Sequence, residues 1–198
     1  MTEVRNLHLP IELRTEGDSP GNMLVGYAAK FNAESEPLVD PWDGGSFVEI
    51  IAPGAFARTL RQAPDVRALA QHDSGKVLGR VKAGTLRVWE DEVGLRFEVD
   101  LPDTQYARDL RASVSRGDIN GCSFGFCVGP GGDSVAMIGD RIVRTLLDVD
   151  LIEISTGVTF PAYPDTAVNV RSRVPGLARQ DSAPRLAAAR RRRQLLDL

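Results

Sequence analysis

Gly121-Cys122-Ser123-Phe124-Gly125-Phe126-Cys127-Val128 decides how this chain is read. Cys122, Phe124, Phe126 and Val128 fall on one face and Ser123, Gly125 and Cys127 on the other, which is the two-residue period of a strand. A Gly-x-Ser-x-Gly string marks the nucleophile elbow of an α/β hydrolase when a helix follows the serine and the catalytic histidine comes last in the chain. Neither condition holds. The residues after Ser123 continue as strand, and the only two histidines, His8 and His72, precede it. The segment therefore reads as a strand, with a glycine-flanked serine on its small-residue face.

Upstream of this strand, Asp103 or Thr104 is placed to cap a helix running to Arg116. Tyr106, Leu110 and Val114 recur every four residues in it and Gly117 closes it. Thr85–Trp89 and Leu95–Leu101 read as strands around an Asp91–Gly94 turn. Val66–His72 alternates with Val66, Ala68, Ala70 and His72 on one face, as a strand ending on His72. Pro53 and the Phe56/Leu60 pair predict a short helix, and the stretch 32–46 reads as a surface loop. Leu7–Leu13 and Met23–Ala29 form an opening hairpin. Downstream, Gly129–Asp133 must turn, and Ile142 to about Ser155 is predicted as one long strand carrying Asp148, Asp150 and Glu153. Pro161–Pro164 ends the regular structure.

The 198 residues can bury one core, with an appendage. Hydrophobic and charged fractions of 42% and 26% are those of an ordinary soluble domain. No run approaches the roughly 20 apolar residues of a membrane helix, and no basic-then-apolar leader opens the chain, so a cytosolic setting is expected. Cys122 and Cys127 are five apart in one strand, on opposite faces, and read as small hydrophobes rather than a disulfide or half of a zinc site. The net charge of −3 hides an asymmetry. Residues 171–198 carry eight arginines against two aspartates, leaving 16 basic and 25 acidic groups on the preceding 170 residues. Domain organisation is read accordingly as a folded unit over 1–168 and a basic tail over 169–198.

A serine nucleophile needs an imidazole to accept its proton, and a third group usually orients the imidazole. By chain order, His72 and Ser123 are compatible with an intervening acid (Asp91, Glu98, Asp100 or Asp109) or a later one (Asp148, Asp150 or Glu153). The Gly129–Gly132 turn could offer amides to an oxyanion, although most such turns only redirect the chain. Arg80, Arg141 and Arg144 read as solvated charges.

Several pieces, in order and spacing, resemble the prohead serine proteases of tailed bacteriophages: Gly26–Asn32, Glu49–Phe56, Ala68–Asp73 with Val77–Arg80, Gly121–Phe126, and Leu151–Ser155 running into Pro161–Pro164. The resemblance implies an α+β fold like that of herpesvirus assemblins, a mostly antiparallel β-barrel-like core with a few flanking helices. It implies His72 as general base and Ser123 as nucleophile. Glu153 becomes the orienting acid because the Leu-x-Glu-x-Ser match falls on it, while Asp148, Asp150 and Asp73 stay open and His8 lies outside the matching region. The implied activity is a serine endopeptidase that cleaves the scaffolding segment of the major capsid protein, and itself, inside the prohead assembling in the host cytoplasm. No metal or organic cofactor is implied, neither membrane nor nucleic acid is an expected partner, and a homodimer stays open. The tail reads as a disordered basic extension or as a removable tether. A non-catalytic capsid scaffolding protein of the same fold and a small-substrate esterase are the competing readings.

Overall fold

Alternating apolar strands broken by glycine and aspartate turns dominate the computed structural model, which describes residues 2–7, 11–14, 22–40 and 44–158. His8, residues 15–21, Pro161–Pro164 and the 169–198 tail lie outside the described residues. In chain order the elements are β1 (Glu3–Leu7), β2 (Ile11–Arg14), β3 (Met23–Lys30), β4 (Leu38–Val39), β5 (Ser46–Ile51), α1 (Ala57–Arg61), β6 (Arg67–Ala70) and β7 (Asp73–Arg80). A 3-10 turn at Val81–Ala83 leads to β8 (Leu86–Glu90), β9 (Gly94–Asp100), α2 (Gln105–Arg116), β10 (Gly121–Val128), β11 (Asp133–Ile138), β12 (Arg141–Leu146) and β13 (Val149–Val158).

The strands make three sheets, in the orders β1-β10-β13-β6-β7, β11-β12-β5-β4 and β2-β3-β9-β8. Neighbours are antiparallel except β13 with β6 and β12 with β5. The α+β, mostly antiparallel expectation stands in this form. The barrel-like core does not: closure requires a sheet's first and last strands to pair, and among the described residues none of the three sheets does so. One apolar core joins the sheets. An aromatic seam runs through it, with Phe124 stacked on Phe126 at 5.0 Å and meeting Phe56 edge-on at 5.6 Å. Helix α2 buries Ala107 and Leu110, and Tyr106 and Val114 pack half-buried against the same core. Gly117, at φ +80°, ends it with paired bonds from the Gly117 and Asp118 amides to the carbonyls of Val114 and Ser113.

Further sequence expectations are revised. In the opening hairpin only Ile11–Arg14 pairs with β3, while Leu7 ends β1, which pairs with β10. The long strand from Ile142 is two, β12 and β13, split at Leu147-Asp148 where both amides donate to the carbonyl of Gly132. The loop over 32–46 contains β4, which pairs with β5. His72 is not the last residue of a strand but the second residue of the turn joining β6 to β7, where Ala70 pairs with Asp73 and both Gln71 and His72 have positive φ, +54° and +59°. A two-residue hairpin turn of this hand normally recruits asparagine and glycine, so Gln-His carried no turn signature.

Arg144, read as a solvated charge, is 1% exposed. It grips Glu3 with two bonds (2.7 and 3.0 Å) and reaches Glu49 at 3.0 Å and Asp133 at 2.7 Å. Arg5 closes the cluster, holding Glu49 with two bonds (2.6 and 2.7 Å) and Glu3 with one (2.7 Å) while its guanidinium lies over the Phe126 ring. Burial pulls the Arg144 guanidinium down, but its bond to Glu3 and the charges of Glu49 and Glu3 outweigh that, and its pKa is raised. The cluster joins β1, in the first sheet, to β5, β11 and β12 in the second. Removing one member strands buried charge, so Arg144→Met is expected to cost about 3–5 kcal/mol in urea unfolding. A change below about 1 kcal/mol would mean that the cluster behaves as a surface ion pair and does not hold the sheets together.

Candidate active site

Strand β13 sets the site. Antiparallel to β10, it pairs Ser155 with Ser123 and Glu153 with Gly125; parallel to β6, it pairs Ser155 with Leu69 and Thr156 with Ala70. A register shift between Gly125 and Phe126 leaves Ile152 as an extra residue, so Leu151 and Ile154 both enter the core while Glu153 and Ser155 share the opposite face. Directly opposite residues of paired strands lie on the same face, which puts Ser123 and Gly125 beside Ser155 and Glu153. The left-handed turn then brings His72 over this same face, not the core face of Ala68 and Ala70 that alternation had assigned to it.

His72 Nδ1 lies 2.6 Å from Glu153 Oε1. Glu153 Oε2 accepts the Ser155 hydroxyl at 2.7 Å, and the Ser155 oxygen accepts the backbone N–H of His72 at 3.0 Å. The turn is pinned further by Gln71, whose amide donates to the Thr156 carbonyl at 3.0 Å and whose side chain donates to that of Gly157 at 3.2 Å. Left-handed backbone at two non-glycine residues costs on the order of 1–3 kcal/mol each, and these bonds offset it. Gly125 supplies the room: a Cβ there would stand 2.9 Å from Glu153 Oε1 and 3.0 Å from its Cγ. The second glycine of the pentapeptide thus serves the carboxylate rather than the serine.

Ser123 is fully buried, and its hydroxyl donates to the Arg5 carbonyl on β1 at 2.8 Å. The structure therefore brings His72 and Glu153 into contact and sets Ser123 one strand away, with its single proton on β1 rather than on the imidazole. The other acids are engaged elsewhere. Asp148 and Asp150 pair with Arg58, each at 2.7 Å, and Asp73 accepts the Gly75 amide and Lys76. Asp91 accepts from Tyr27, Asp109 from Gln105, and Glu98 and Asp100 from Arg87. In the Gly129–Gly132 turn the Gly132 amide donates to Gly129, and a Cβ on Gly132 would meet the Asp148 carbonyl at 2.3 Å, so the glycine is needed for close backbone approach. Arg80 and Arg141 pair with Asp65 and Glu34. Cys122 is buried, which pushes its thiol up and leaves it unreactive, whereas Cys127 is half-buried. Ser155 is the member that sequence reasoning left without a role. Its signal was spacing, two residues from Glu153 and hence on the same strand face.

The family model described as caudovirus prohead serine protease matches residues 10–177. The prohead protease of Enterobacteria phage HK97 is 29% identical over 167 residues, covering 84% of this chain and 67% of that protein. The solved capsid assembly protease of bacteriophage T4 aligns with a TM-score of 0.48 at 11% identity, covering 79% of this chain and 97% of the other. The family match takes in the histidine turn, the serine strand and Glu153 alike, and the chain belongs to the caudovirus prohead serine protease family.

Proposed function

We propose that this chain is the endopeptidase of prohead maturation, with Ser123 as nucleophile, His72 as general base and Glu153 as the group that orients the imidazole. The observation that carries the reading is the 2.6 Å contact between His72 Nδ1 and Glu153 on the sheet face where Ser123 lies opposite Ser155. A carboxylate on Nδ1 fixes the tautomer with its proton there and leaves Nε2 with the lone pair that accepts the serine proton. To meet it, the Ser123 hydroxyl releases the Arg5 carbonyl. Ser123 Oγ then attacks the peptide carbonyl, its proton passing to His72. His72 protonates the departing amine, and water repeats the sequence to release the acyl group. An extended peptide is the natural substrate for a site laid along strands.

Membership of the family and the name of the HK97 relative support a capsid precursor as substrate, within the prohead assembling in the infected cell. The scaffolding segment of the major capsid protein and this chain's own basic tail are the proposed cleavage targets. A cavity of about 250 Å³ beside α2, lined by Asn22, Pro102, Arg108 and Arg111 among others, includes none of the three proposed catalytic residues, and the small-substrate esterase reading draws on no observation of the site. The non-catalytic reading draws on one observation, the complete burial of Ser123 with its proton held by β1.

Co-expression with the capsid precursor separates the two readings. Mass spectrometry is expected to show trimming of the precursor, and loss of a C-terminal piece of this chain, with the native sequence but not with Ser123→Ala or His72→Ala. Trimming that persists in Ser123→Ala overturns the assignment. Glu153→Gln keeps the shape but loses the charge and is expected to lower kcat/KM by about 10³–10⁴-fold. Gly125→Ala, which displaces the carboxylate by its Cβ alone, is expected to lower it by about 10²-fold while leaving the thermal midpoint within a few degrees. Undiminished turnover in both variants would remove Glu153 from the mechanism.

A further inference from the structure

The buried hydroxyl of Ser155 belongs to none of the three catalytic roles, yet it touches two of the residues that fill them. We propose that Ser155 is the positioning residue of the site, one hydroxyl that sets both the main chain of the base and the side chain of its orienting acid. The proposal rests on the reading of His72 as the base.

The hydrogen-bond inventory of a serine is one donor and two acceptor positions. Here the donor goes to Glu153 Oε2 at 2.7 Å and an acceptor position takes the His72 N–H at 3.0 Å. The Ser155 side chain, 0% exposed, is thus tied at its donor to the acid and at its acceptor to the main chain of the base. What it can do is fix geometry. Glu153 has a broad terminal torsion, and its two oxygens are held from different sides, Oε1 by the imidazole and Oε2 by Ser155. With Oε2 released, that torsion is free to turn Oε1 away from Nδ1. On the other side, His72 sits at φ +59°, a conformation that persists only where its surroundings over-determine it. The Ser155 oxygen is the acceptor for its amide. The path from the His72 backbone through Ser155 to Glu153 and back to the His72 ring is a closed ring of three bonds, and deletion of the hydroxyl opens it at two of them.

The test pairs kinetics with a direct view of the imidazole in the full-length protein. Ser155→Ala is expected to keep its fold and thermal midpoint within a few degrees. It is expected to lose the downfield, exchange-protected Nδ1–H proton resonance of His72, and to lower kcat about 10²-fold with KM within two-fold. Ser155→Thr, which keeps the hydroxyl, is expected to restore the resonance and at least ten-fold of the lost kcat. Persistence of the resonance in Ser155→Ala, or a kcat within two-fold of the native value, overturns the positioning role. The resonance reports on His72 whether or not the chain cuts peptides. A native protein that shows the resonance, loses it in Ser155→Ala and cleaves nothing would sink the endopeptidase reading and leave the positioning role intact.

Discussion

Strand β13 is hydrogen-bonded along both edges, antiparallel to β10 on one side and parallel to β6 on the other, with Ser155 facing Ser123 and Leu69 at the same level. Because side chains alternate faces, a slip of one residue in either pairing would turn Glu153 and Ser155 into the core and bring Ile154 out. The register is held by what lies beneath. Phe124, Phe126, Leu151 and Ile154 are all buried, and the extra residue Ile152 lets two apolar positions reach the core without moving the acid off the opposite face. The parallel pairing with β6 matters equally, because it ends the strand level with Thr156 and lets a two-residue turn fold His72 back over β13. Site geometry is thus a consequence of register, and register is a consequence of core packing.

A second constraint acts from the edge of the same sheet. The Arg5, Glu3, Glu49, Arg144 and Asp133 cluster ties β1 to the neighbouring sheet, and the Arg5 carbonyl on that strand receives the Ser123 proton. Buried ion clusters contribute little net stability compared with apolar packing, since desolvation cancels most of the attraction. What this one contributes is placement. Guanidinium groups with two-pronged carboxylate partners fix orientation as well as distance, so β1 is held in one position against β10, and with it the state of the serine.

Much of this was legible in the sequence, and the losses have specific causes. Helix α2, from its four-residue spacing to Gly117, and the strand nature of Gly121–Val128 follow from periodicity alone. Chain order and strand continuity argued against the hydrolase elbow, and residue patterning left several acids open; only the family resemblance of the Leu-x-Glu-x-Ser segment singled out Glu153, the acid that the structure sets against His72. The turn at Gln71-His72 was hidden because its residues have no intrinsic preference for left-handed backbone; tertiary hydrogen bonds to Ser155, Thr156 and Gly157 impose it. The bulge at Ile152 was hidden for a related reason, since Leu-Ile-Glu-Ile-Ser read with period two leaves Leu151 on the face of Glu153. Arg144 was misread because an arginine in a strand looks solvated until its partners, distant in sequence, are known. Two glycines around a serine looked like the mark of the serine, whereas Gly125 makes space for a carboxylate across the sheet.

Covalent trapping of the nucleophile addresses the central claim most directly. The full-length protein, treated with an aryl fluorophosphonate and mapped by peptide mass spectrometry, is predicted to carry one adduct, on Ser123, and to carry none when His72 is replaced by alanine. An adduct on Ser155, or a preparation that cleaves peptides with Ser123 unmodified, contradicts the account.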